Sequence, residues 1–384
     1  MSRSWDVFCR VVDNFGDAAV CWRLARQLAG EHAGRVRLWI DDLSALRALC
    51  PELRADCASQ AVAGVNVHAW SAGTEFGAPA EIVVEAFGCG LPERYVDAMV
   101  PRTPQPVWIV LEYLSAEPWV GSHHLLPSPH PRRSLERHFF FPGVVPGTGG
   151  VLKEASLDKR REAFEATPVA ASQFWEALGF GMPAEPVTKV SLFGYENPAA
   201  AALLKMWAEG GDRVVAAVPR SRLRPQVCEF FGVPDPGDGA SLAKGRLEVR
   251  FLPFLPQPAY DELLWACDWN FVRGEDSFVR AQWARRAMVW HIYPQAEAAH
   301  LAKLEAFLDA YCAGLDAGLA AALRGLWEGW NGAHALAPEL ASVWACLAEG
   351  RMQMTGHART WAARLAQAGD LAGNLAQYCE ERLK

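Results

Sequence analysis

Residues 269–293 of this 384-residue chain, WNFVRGEDSFVRAQWARRAMVWHIY, determine how the fold is interpreted. The short apolar run at 269–272 predicts a strand, and the polar residues 273–277 predict a tight turn. Alanines at helical spacing predict a helix from Phe278, and the apolar run 288–293 predicts the next buried parallel strand. Open α/β sheets bind ligands outside the carboxyl ends of their strands, so the turn is the first candidate for a functional site.

The residues of this turn combine the features of an anion site. Asp276 or Ser277 is expected to cap the following helix, whose N-terminal N–H groups and dipole favour an anion. Arg273 can pair with a phosphate, and Ser277 can donate a hydrogen bond. Glu275 and Asp276 would repel a diphosphate, so we expect one of them to hold a sugar hydroxyl or to face a cationic acceptor. A solvated turn before a capped helix is the alternative interpretation.

Composition limits the class of protein. A chain of 384 residues is too long for one compact core, which favours two domains. The formal net charge of −7 argues against general nucleic-acid binding. No apolar run reaches the roughly 18 to 20 residues of a membrane span. The ten cysteines include no CxxC pair, and a strand is predicted at once without a signal peptide, so we expect reduced thiols and a cytoplasmic location.

Strands alternate with helices along both halves of the chain. Strands are predicted at 5–12, 38–40, 65–70, 82–87 and 107–111, and again at 187–193, 214–218, 247–252, 269–272 and 288–293. The remaining predictions are loops at 125–133 and 139–143, an exposed helical connector at 160–178 and a helical tail beyond about 297. This alternation predicts an α/β protein with two Rossmann-like domains that face each other across a cleft, the GT-B architecture, which other two-lobed α/β proteins share.

Two carboxylates follow the first predicted strand in the motif DNFGD, residues 13–17. No GxGxxG fingerprint occurs there, which argues against a nicotinamide-dependent enzyme. Asp17 could simply cap the first helix, and Asp13 could be solvated in a turn. The functional interpretation is that two carboxylates at the mouth of a cleft supply a general base and a partner for a cation.

A proline-rich loop at 251–260 carries Phe254, Gln257 and Tyr260. An aromatic face and an amide can stack on a nucleobase and hydrogen-bond it, although core packing is the more common role of a single phenylalanine. Tyr195, at the end of another predicted strand, can reach a phosphate or pack with a partner for its hydroxyl. The histidines between 123 and 138 follow no metal-ligand spacing, so we predict no metal site.

Five motifs in this sequence resemble the EarP family, the elongation factor P–specific protein-arginine rhamnosyltransferases. They are DNFGD at 13–17, LFGYE at 192–196, FLPFLPQ at 251–257, VRGEDSFVRAQWA at 272–284 and VWHIYPQ at 289–295. The resemblance extends over the whole chain and implies a GT-B fold with a C-terminal helical tail. It also implies inverting transfer of L-rhamnose from dTDP-β-L-rhamnose to one arginine of translation elongation factor P, without a metal or other cofactor.

The resemblance implies roles for individual residues. Asp17 looks like the general base, Asp13 a support of the acceptor site, and Glu275 a carboxylate that catalysis needs. The implied donor site consists of Asn14, Phe15, Gly16, Phe193, Tyr195, Phe254, Gln257, Tyr260, Arg273, Glu275, Asp276 and Ser277. Tyr260 departs from the family, which has a phenylalanine there, but it keeps a stacking face.

The implied domains are an acceptor domain at 1–155, a linker at 156–184 and a nucleotide-sugar domain at 185–357. A C-terminal helix at about 358–384 is expected to complete the acceptor domain. Two other functions fit the residue types. A sugar-nucleotide epimerase of GT-B-like fold would need no protein acceptor, and a non-catalytic module would bind the nucleotide without consuming it.

Overall fold

The computed structural model describes residues 2–13, 15–54, 56–336 and 339–384. Asn14, which the resemblance places in the donor site, lies outside the described residues. The chain divides into two compact units, unit 1 (Met1–Ala155 with Leu365–Lys384) and unit 2 (Ser156–Arg364). No helix in the described ranges has both the length and the apolar character that crossing a bilayer requires.

The secondary structure is of the alternating α/β type. The strands are β1 (Ser4–Cys9), β2 (Arg35–Ile40), β3 (Ser59–Val62), β4 (Val65–Ala69), β5 (Ile82–Ala86), β6 (Val107–Leu111), β7 (Pro127–Pro129), β8 (Glu136–Phe140), β9 (Thr188–Leu192), β10 (Val214–Pro219), β11 (Ser241–Lys244), β12 (Leu247–Leu252), β13 (Trp269–Arg273) and β14 (Ala287–His291). The helices are α1 (Gly16–Glu31), α2 (Leu43–Leu49), α3 (Glu93–Met99), α4 (Val120–His123), α5 (Leu157–Glu165), α6 (Pro168–Ala177), α7 (Ala200–Glu209), α8 (Arg224–Phe231), α9 (Gln257–Ala266), α10 (Asp276–Trp283), α11 (Ala299–Cys312), α12 (Ala317–Trp330), α13 (Leu340–Glu349), α14 (Arg351–Ala366) and α15 (Leu371–Arg382), with a 3-10 helix at Ala296–Ala298.

Unit 1 is built on an eight-stranded sheet with the strand order β3-β4-β2-β1-β5-β6-β8-β7. All neighbouring strands are parallel except the edge pairs β3–β4 and β7–β8. The central strands β1, β5 and β6 are apolar and buried almost throughout, as strands covered on both faces must be. Because these three strands are adjacent and parallel, the residues that follow each of them lie along one edge of the sheet.

Helix α15 completes unit 1 from the far end of the sequence, where it packs on α1. Gln27 Nε2 donates to Asp370 Oδ1 at 2.8 Å and to the Lys153 carbonyl at 2.9 Å. The prediction of a single helix at about 358–384 is wrong, because α14 ends at Ala366 and a separate helix, α15, begins at Leu371. Gly369 takes a φ of +77° between them, and Asp370 caps α15.

Unit 2 contains a six-stranded sheet with the order β11-β12-β10-β9-β13-β14. Only the edge pair β11–β12 is antiparallel. Arg273 is in register with His291, so the last residues of β13 and β14 lie side by side. Helix α10 is held on this end of the sheet by Phe278, whose ring stacks on Trp290 with a centroid distance of 3.9 Å. Strand pairing and the packing of α10 therefore fix the carboxyl-terminal ends of β13 and β14.

The predicted strands at 107–111 and 247–252 are confirmed as β6 and β12. The loops predicted at 125–133 and 139–143 are wrong in part, because β7 and β8 lie there. Prolines at both ends of β7 resemble a loop, and β8 starts with charged residues and is buried only at alternate positions. The antiparallel edge strands β3 and β11 were not predicted either, since both are short and largely exposed.

Residues 160–178 are not an exposed connector, and residues 156–184 lie within unit 2 rather than forming a linker. They contain α5 and α6, whose side chains Arg161 and Trp175 are completely buried. Arg161 donates to Asp158 at 2.7 Å and to the Trp283 carbonyl at 3.1 Å. The many charged residues of α5 suggest a solvated helix, but one of them, Arg161, is buried inside unit 2 and pairs there with the partly exposed Asp158.

Candidate functional site

In unit 1 the first candidate is Asp17, which lies in the first turn of α1 and is only 2 % exposed. Its Oδ2 atom accepts hydrogen bonds from the backbone N–H groups of Val12 and Asp13, at 2.8 and 2.9 Å. Its Oδ1 atom accepts one from the Tyr113 hydroxyl at 3.1 Å. Three donors therefore fix the orientation of this carboxylate.

Asp17 does not cap α1, which excludes the simplest structural interpretation of this residue. The N-cap position is Phe15, and it makes no side-chain capping bond. Asp17 instead holds the backbone that precedes the helix, so its bonds shape the loop between β1 and α1. A carboxylate that organises a loop at a sheet edge is a better candidate for chemistry than a helix cap.

Asp13 lies in the same loop and is folded towards the start of α1. A Cβ atom built on Gly16 would lie 2.8 Å from Asp13 Oδ2, and Gly16 N–H donates to the Asp13 carbonyl at 2.6 Å. Any side chain at position 16 would displace the carboxylate. The predicted residues Asp13, Phe15, Gly16 and Asp17 thus form one group, in which Asp13 and Phe15 are partly exposed.

The next strand end in unit 1 also carries two acids. Asp41 Oδ1 accepts from Val11 N–H at 2.9 Å, which ties β2 to the same loop. Asp42 caps α2 by accepting from the N–H groups of Ser44 and Ala45, and the Ser44 hydroxyl, the largest influence, lowers the pKa of its carboxyl. These two acids are structural.

In unit 2 the central residue is Arg273, the last residue of β13, which is 6 % exposed. Its guanidinium carbon lies 4.7 Å from the ring centroids of both Phe193 and Tyr195, which follow β9. The Phe193 ring is in turn 5.5 Å from that of Tyr260. Four of the predicted donor residues therefore form one cluster of a cation and three aromatic rings.

Ser277 belongs to the same turn, but its role differs from the prediction. Its hydroxyl accepts from Arg273 N–H at 3.0 Å and donates to the Arg273 carbonyl. The N-cap of α10 is Glu275, without a side-chain capping bond, and the helix starts at Asp276. The prediction that Asp276 or Ser277 caps the helix is wrong, because the Ser277 hydroxyl bonds to the backbone of Arg273 instead.

Gly274 gives the turn its shape. It takes a φ of +61°, which favours glycine, and Trp290 Nε1 donates to its carbonyl at 2.8 Å. Glu275 is partly exposed, whereas Asp276 is buried in the first turn of α10. Glu275 and Asp276, for which different roles are predicted, thus differ in solvent exposure.

The loop predicted to hold the base leads into α9. Gln257 is the first residue of α9 and is buried, Tyr260 lies one turn later, and Phe254 is partly exposed in the loop before them. Tyr260 is the member of this segment whose ring reaches Phe193. Burial raises the pKa of its phenol, so the group stays neutral.

Two residues of unit 2 that the sequence did not single out belong to the cluster. The ring of His291 lies 5.2 Å from that of Tyr195, and the ring of Tyr293 lies 5.5 Å from it on the same segment. Burial, together with the nearby Arg273, lowers the pKa of His291 to about 3. At neutral pH the imidazole is uncharged beside Arg273. The predicted strand 288–293 contained both residues, and their place at a strand end was the available signal.

Tyr113 is the residue of unit 1 that the sequence analysis missed. It follows β6, next to β5 in the sheet, and its hydroxyl reaches Asp17. The rule that parallel strands end at one edge would have found it if the strand order had been known. In the described part of the chain, no group of three or more His, Cys, Asp or Glu residues has the arrangement of a metal site.

Comparison with known proteins identifies the family of this chain. The family model for elongation factor P (EF-P) rhamnosyltransferase EarP matches residues 5–380. A protein-arginine rhamnosyltransferase of Pseudomonas putida is 44 % identical over 383 residues, which cover 100 % of both chains.

Solved structures support the same assignment. One that describes the structural basis for EarP-mediated arginine glycosylation of translation elongation factor EF-P is 33 % identical, covers 99 % of both chains and has a TM-score of 0.71. MurG of Acinetobacter baumannii, at 11 % identity and a TM-score of 0.51 over 99 % of this chain and 100 % of its own, shares the fold alone. The predicted GT-B fold is thus confirmed, and the chain belongs to the EarP family of elongation factor P rhamnosyltransferases.

Proposed function

We propose that this protein transfers L-rhamnose from dTDP-β-L-rhamnose to an arginine side chain of translation elongation factor P, with inversion at the sugar carbon. Membership of the EarP family favours transfer to a protein over epimerisation of the sugar nucleotide and over binding without reaction. The acceptor is a translation factor, so we also propose that the enzyme acts in the cytoplasm.

The observation that carries the proposed chemistry is the geometry of Asp17. A guanidinium has a pKa above about 12, so a carboxylate cannot deprotonate it in advance of the reaction. A fixed carboxylate can instead hold the guanidinium and accept a proton as the new bond forms. Backbone N–H groups occupy Oδ2 of Asp17, and Tyr113 donates to Oδ1. We assign Oδ1 as the atom that receives the proton.

The step balances with these groups. An arginine nitrogen attacks the anomeric carbon, the bond from that carbon to the phosphate oxygen breaks, and dTDP leaves with the electron pair. Inversion follows from this single displacement. Arg273 and the N-terminal N–H groups of α10 would stabilise the charge on the departing diphosphate, so the proposal needs no metal.

The donor pocket is proposed on the cluster in unit 2. Phe193, Phe254 and Tyr260 offer aromatic faces for the base, and Gln257 offers an amide. Tyr195, Asp276 and Ser277 join Arg273 around the diphosphate and sugar, and Glu275, which is partly exposed, remains the candidate for a catalytic carboxylate in this unit. In unit 1, Asp13 would support the acceptor, while Phe15 and Gly16, with Asn14, would border the sugar.

The test is the intact mass of purified elongation factor P after incubation with this protein and dTDP-β-L-rhamnose. We expect a gain of one deoxyhexose, placed on an arginine by fragmentation, and an α-configured product by NMR. No gain of mass while dTDP still binds would refute the acceptor, and a β-configured product would refute inversion. Loss of dTDP binding in a chain that folds normally would refute the donor pocket. A parallel incubation with EDTA tests the proposed independence from metal.

A further inference from the structure

Tyr113 is the side chain that approaches the proposed base from a different strand. Its hydroxyl donates to Asp17 Oδ1 at 3.1 Å, whereas both bonds to Oδ2 come from backbone N–H groups close in sequence. Asp17 is almost fully buried, but Tyr113 keeps 37 % of its surface exposed. The partly exposed phenol therefore lies directly beside the buried carboxylate.

The Tyr113 ring is supported by Phe87, which follows β5. The two rings stack with a centroid distance of 4.3 Å and an interplanar angle of 12°. Phe87 takes a φ of +56°, an uncommon conformation for a residue with a side chain, and its N–H donates to the Leu111 carbonyl at 2.6 Å. The ends of β5 and β6 therefore combine to hold one flat aromatic wall beside Asp17.

A carboxylate next to an aromatic face is the combination that recognises a guanidinium. The planar cation can donate hydrogen bonds in its plane to the carboxylate and lie with its face on the ring. Arg273 shows the same chemistry in unit 2, where its guanidinium lies over two rings. Aromatic rings of this chain therefore already bind one of its own guanidinium groups through their faces.

We propose that Tyr113 positions Asp17 through its hydroxyl and receives the acceptor guanidinium on its ring, with Phe87 as the support of that ring. This inference rests on the proposed function, and it adds an acceptor subsite to it. The hydroxyl fixes the direction of Oδ1. The ring limits the guanidinium to the plane in which its nitrogen can meet the donor carbon.

Separate variants test the hydroxyl and the ring. Tyr113→Phe keeps the ring, so kcat for rhamnosylation should fall about 10-fold while the KM for the acceptor changes less than about twofold. Tyr113→Leu should in addition raise the KM for the acceptor about 3- to 10-fold.

Phe87→Leu is the matched variant for the stack, because it keeps the hydroxyl and removes the aromatic support. It should raise the KM for the acceptor and leave kcat within about twofold of the wild-type value. Tyr311→Phe, at a fully buried tyrosine of α11 in unit 2, controls for the loss of a phenol and should change neither quantity. A Tyr113→Phe enzyme with wild-type kcat would overturn the positioning role.

A second measurement separates this inference from the proposed function. Binding of methylguanidinium, measured by calorimetry, needs neither the sugar donor nor elongation factor P and should be weaker in Tyr113→Leu than in the wild type. A weaker affinity supports the subsite even if elongation factor P is not the acceptor. An identical affinity contradicts it even if elongation factor P is rhamnosylated.

Discussion

Asp17 and Arg273 are both buried charges at the carboxyl edge of a parallel sheet, and the protein holds them in opposite ways. Asp17, at 2 % exposure, is surrounded by hydrogen-bond donors. Arg273, at 6 % exposure, lies over the faces of Phe193 and Tyr195. Cation–π contact uses the face of the guanidinium, whereas its N–H groups donate in the perpendicular plane. The carboxylate is thus fixed in direction by hydrogen bonds, whereas the guanidinium lies against two aromatic faces.

The difference follows from the reactions proposed for the two groups. A base must present one lone pair in one direction, which hydrogen bonds to the rest of the carboxylate achieve. A group that stabilises a diphosphate must supply charge and donors in a site with little water, which aromatic surroundings provide. At the corresponding edge of two similar sheets, one charge is therefore held by hydrogen bonds and the other by aromatic rings.

The largest expected effect concerns the hydrogen-bonded carboxylate. Asp17→Asn keeps an oxygen that can accept from the loop but loses the basic form, so kcat should fall about 10²- to 10⁴-fold. Affinity for dTDP should stay unchanged, because the residues proposed to bind the base and the diphosphate lie in unit 2. Asp42→Asn, a matched change at an acid that caps α2, should retain full turnover. Turnover by the Asp17 variant within a few-fold of the wild type would remove Asp17 from the role of base.

The next effect concerns the stacked cation. Arg273→Ala removes the charge between two rings, and we expect the Kd for dTDP to rise about 30- to 150-fold by calorimetry, which corresponds to about 2 to 3 kcal/mol. Arg273→Lys should recover part of the loss, since it restores charge without the planar face.

Arg250 provides a demanding control for this variant. It is 7 % exposed and lies 5.2 Å from the Trp175 ring, but it pairs with Glu248 and the Gly181 carbonyl. Arg250→Ala should lower the melting temperature and leave the Kd of the folded protein for dTDP unchanged. Equal losses of affinity in both variants would show that the Arg273 effect is one of folding.

A smaller effect tests whether a neutral neighbour of Arg273 limits stability in acid. Burial lowers the pKa of His291 to about 3, below the value of about 6.5 in an unfolded chain. The unfolded state therefore binds the extra proton between these pH values, so this contribution destabilises the fold as the pH falls below about 6.5 and stops changing near pH 3.

His291→Asn should remove that dependence. Urea unfolding should show about 2 kcal/mol less loss between pH 7 and pH 5 than in the wild type. The counterpart in unit 1 is His124, whose pKa burial lowers to about 4, and His124→Asn should recover a similar amount at pH 5. An unaltered pH slope in either variant would mean that the histidine becomes protonated inside the folded protein.

The parts of this molecule that the sequence predicted are those with local signals. Apolar runs such as β6 and β12 predict strands because both faces are buried, and acids or glycines directly after a strand predict a functional edge. The grouping of Phe193, Tyr195 and Arg273 follows from their positions at the ends of β9 and β13, which are neighbours in the sheet.

What the sequence could not predict depends on strand order and on competing hydrogen bonds. Tyr113 reaches Asp17 only because β5 lies beside β1 and β6 lies beside β5, and no motif marks it. Ser277 has the residue type of a helix cap, but its hydroxyl bonds to Arg273 instead. The segment 156–184 resembles a linker because its charges are visible in the sequence and their ion partners are not.

The return of α15 to unit 1 has a consequence for synthesis on the ribosome. The helix that begins with the Asp17 loop is fastened by Gln27 to Asp370, and all of Ser156–Arg364 is translated between these two partners. At 5 to 20 residues per second, those roughly 210 residues take about 10 to 40 s to emerge. All of unit 2 is therefore synthesised before α1 acquires its contact with Asp370, and unit 1 is completed last.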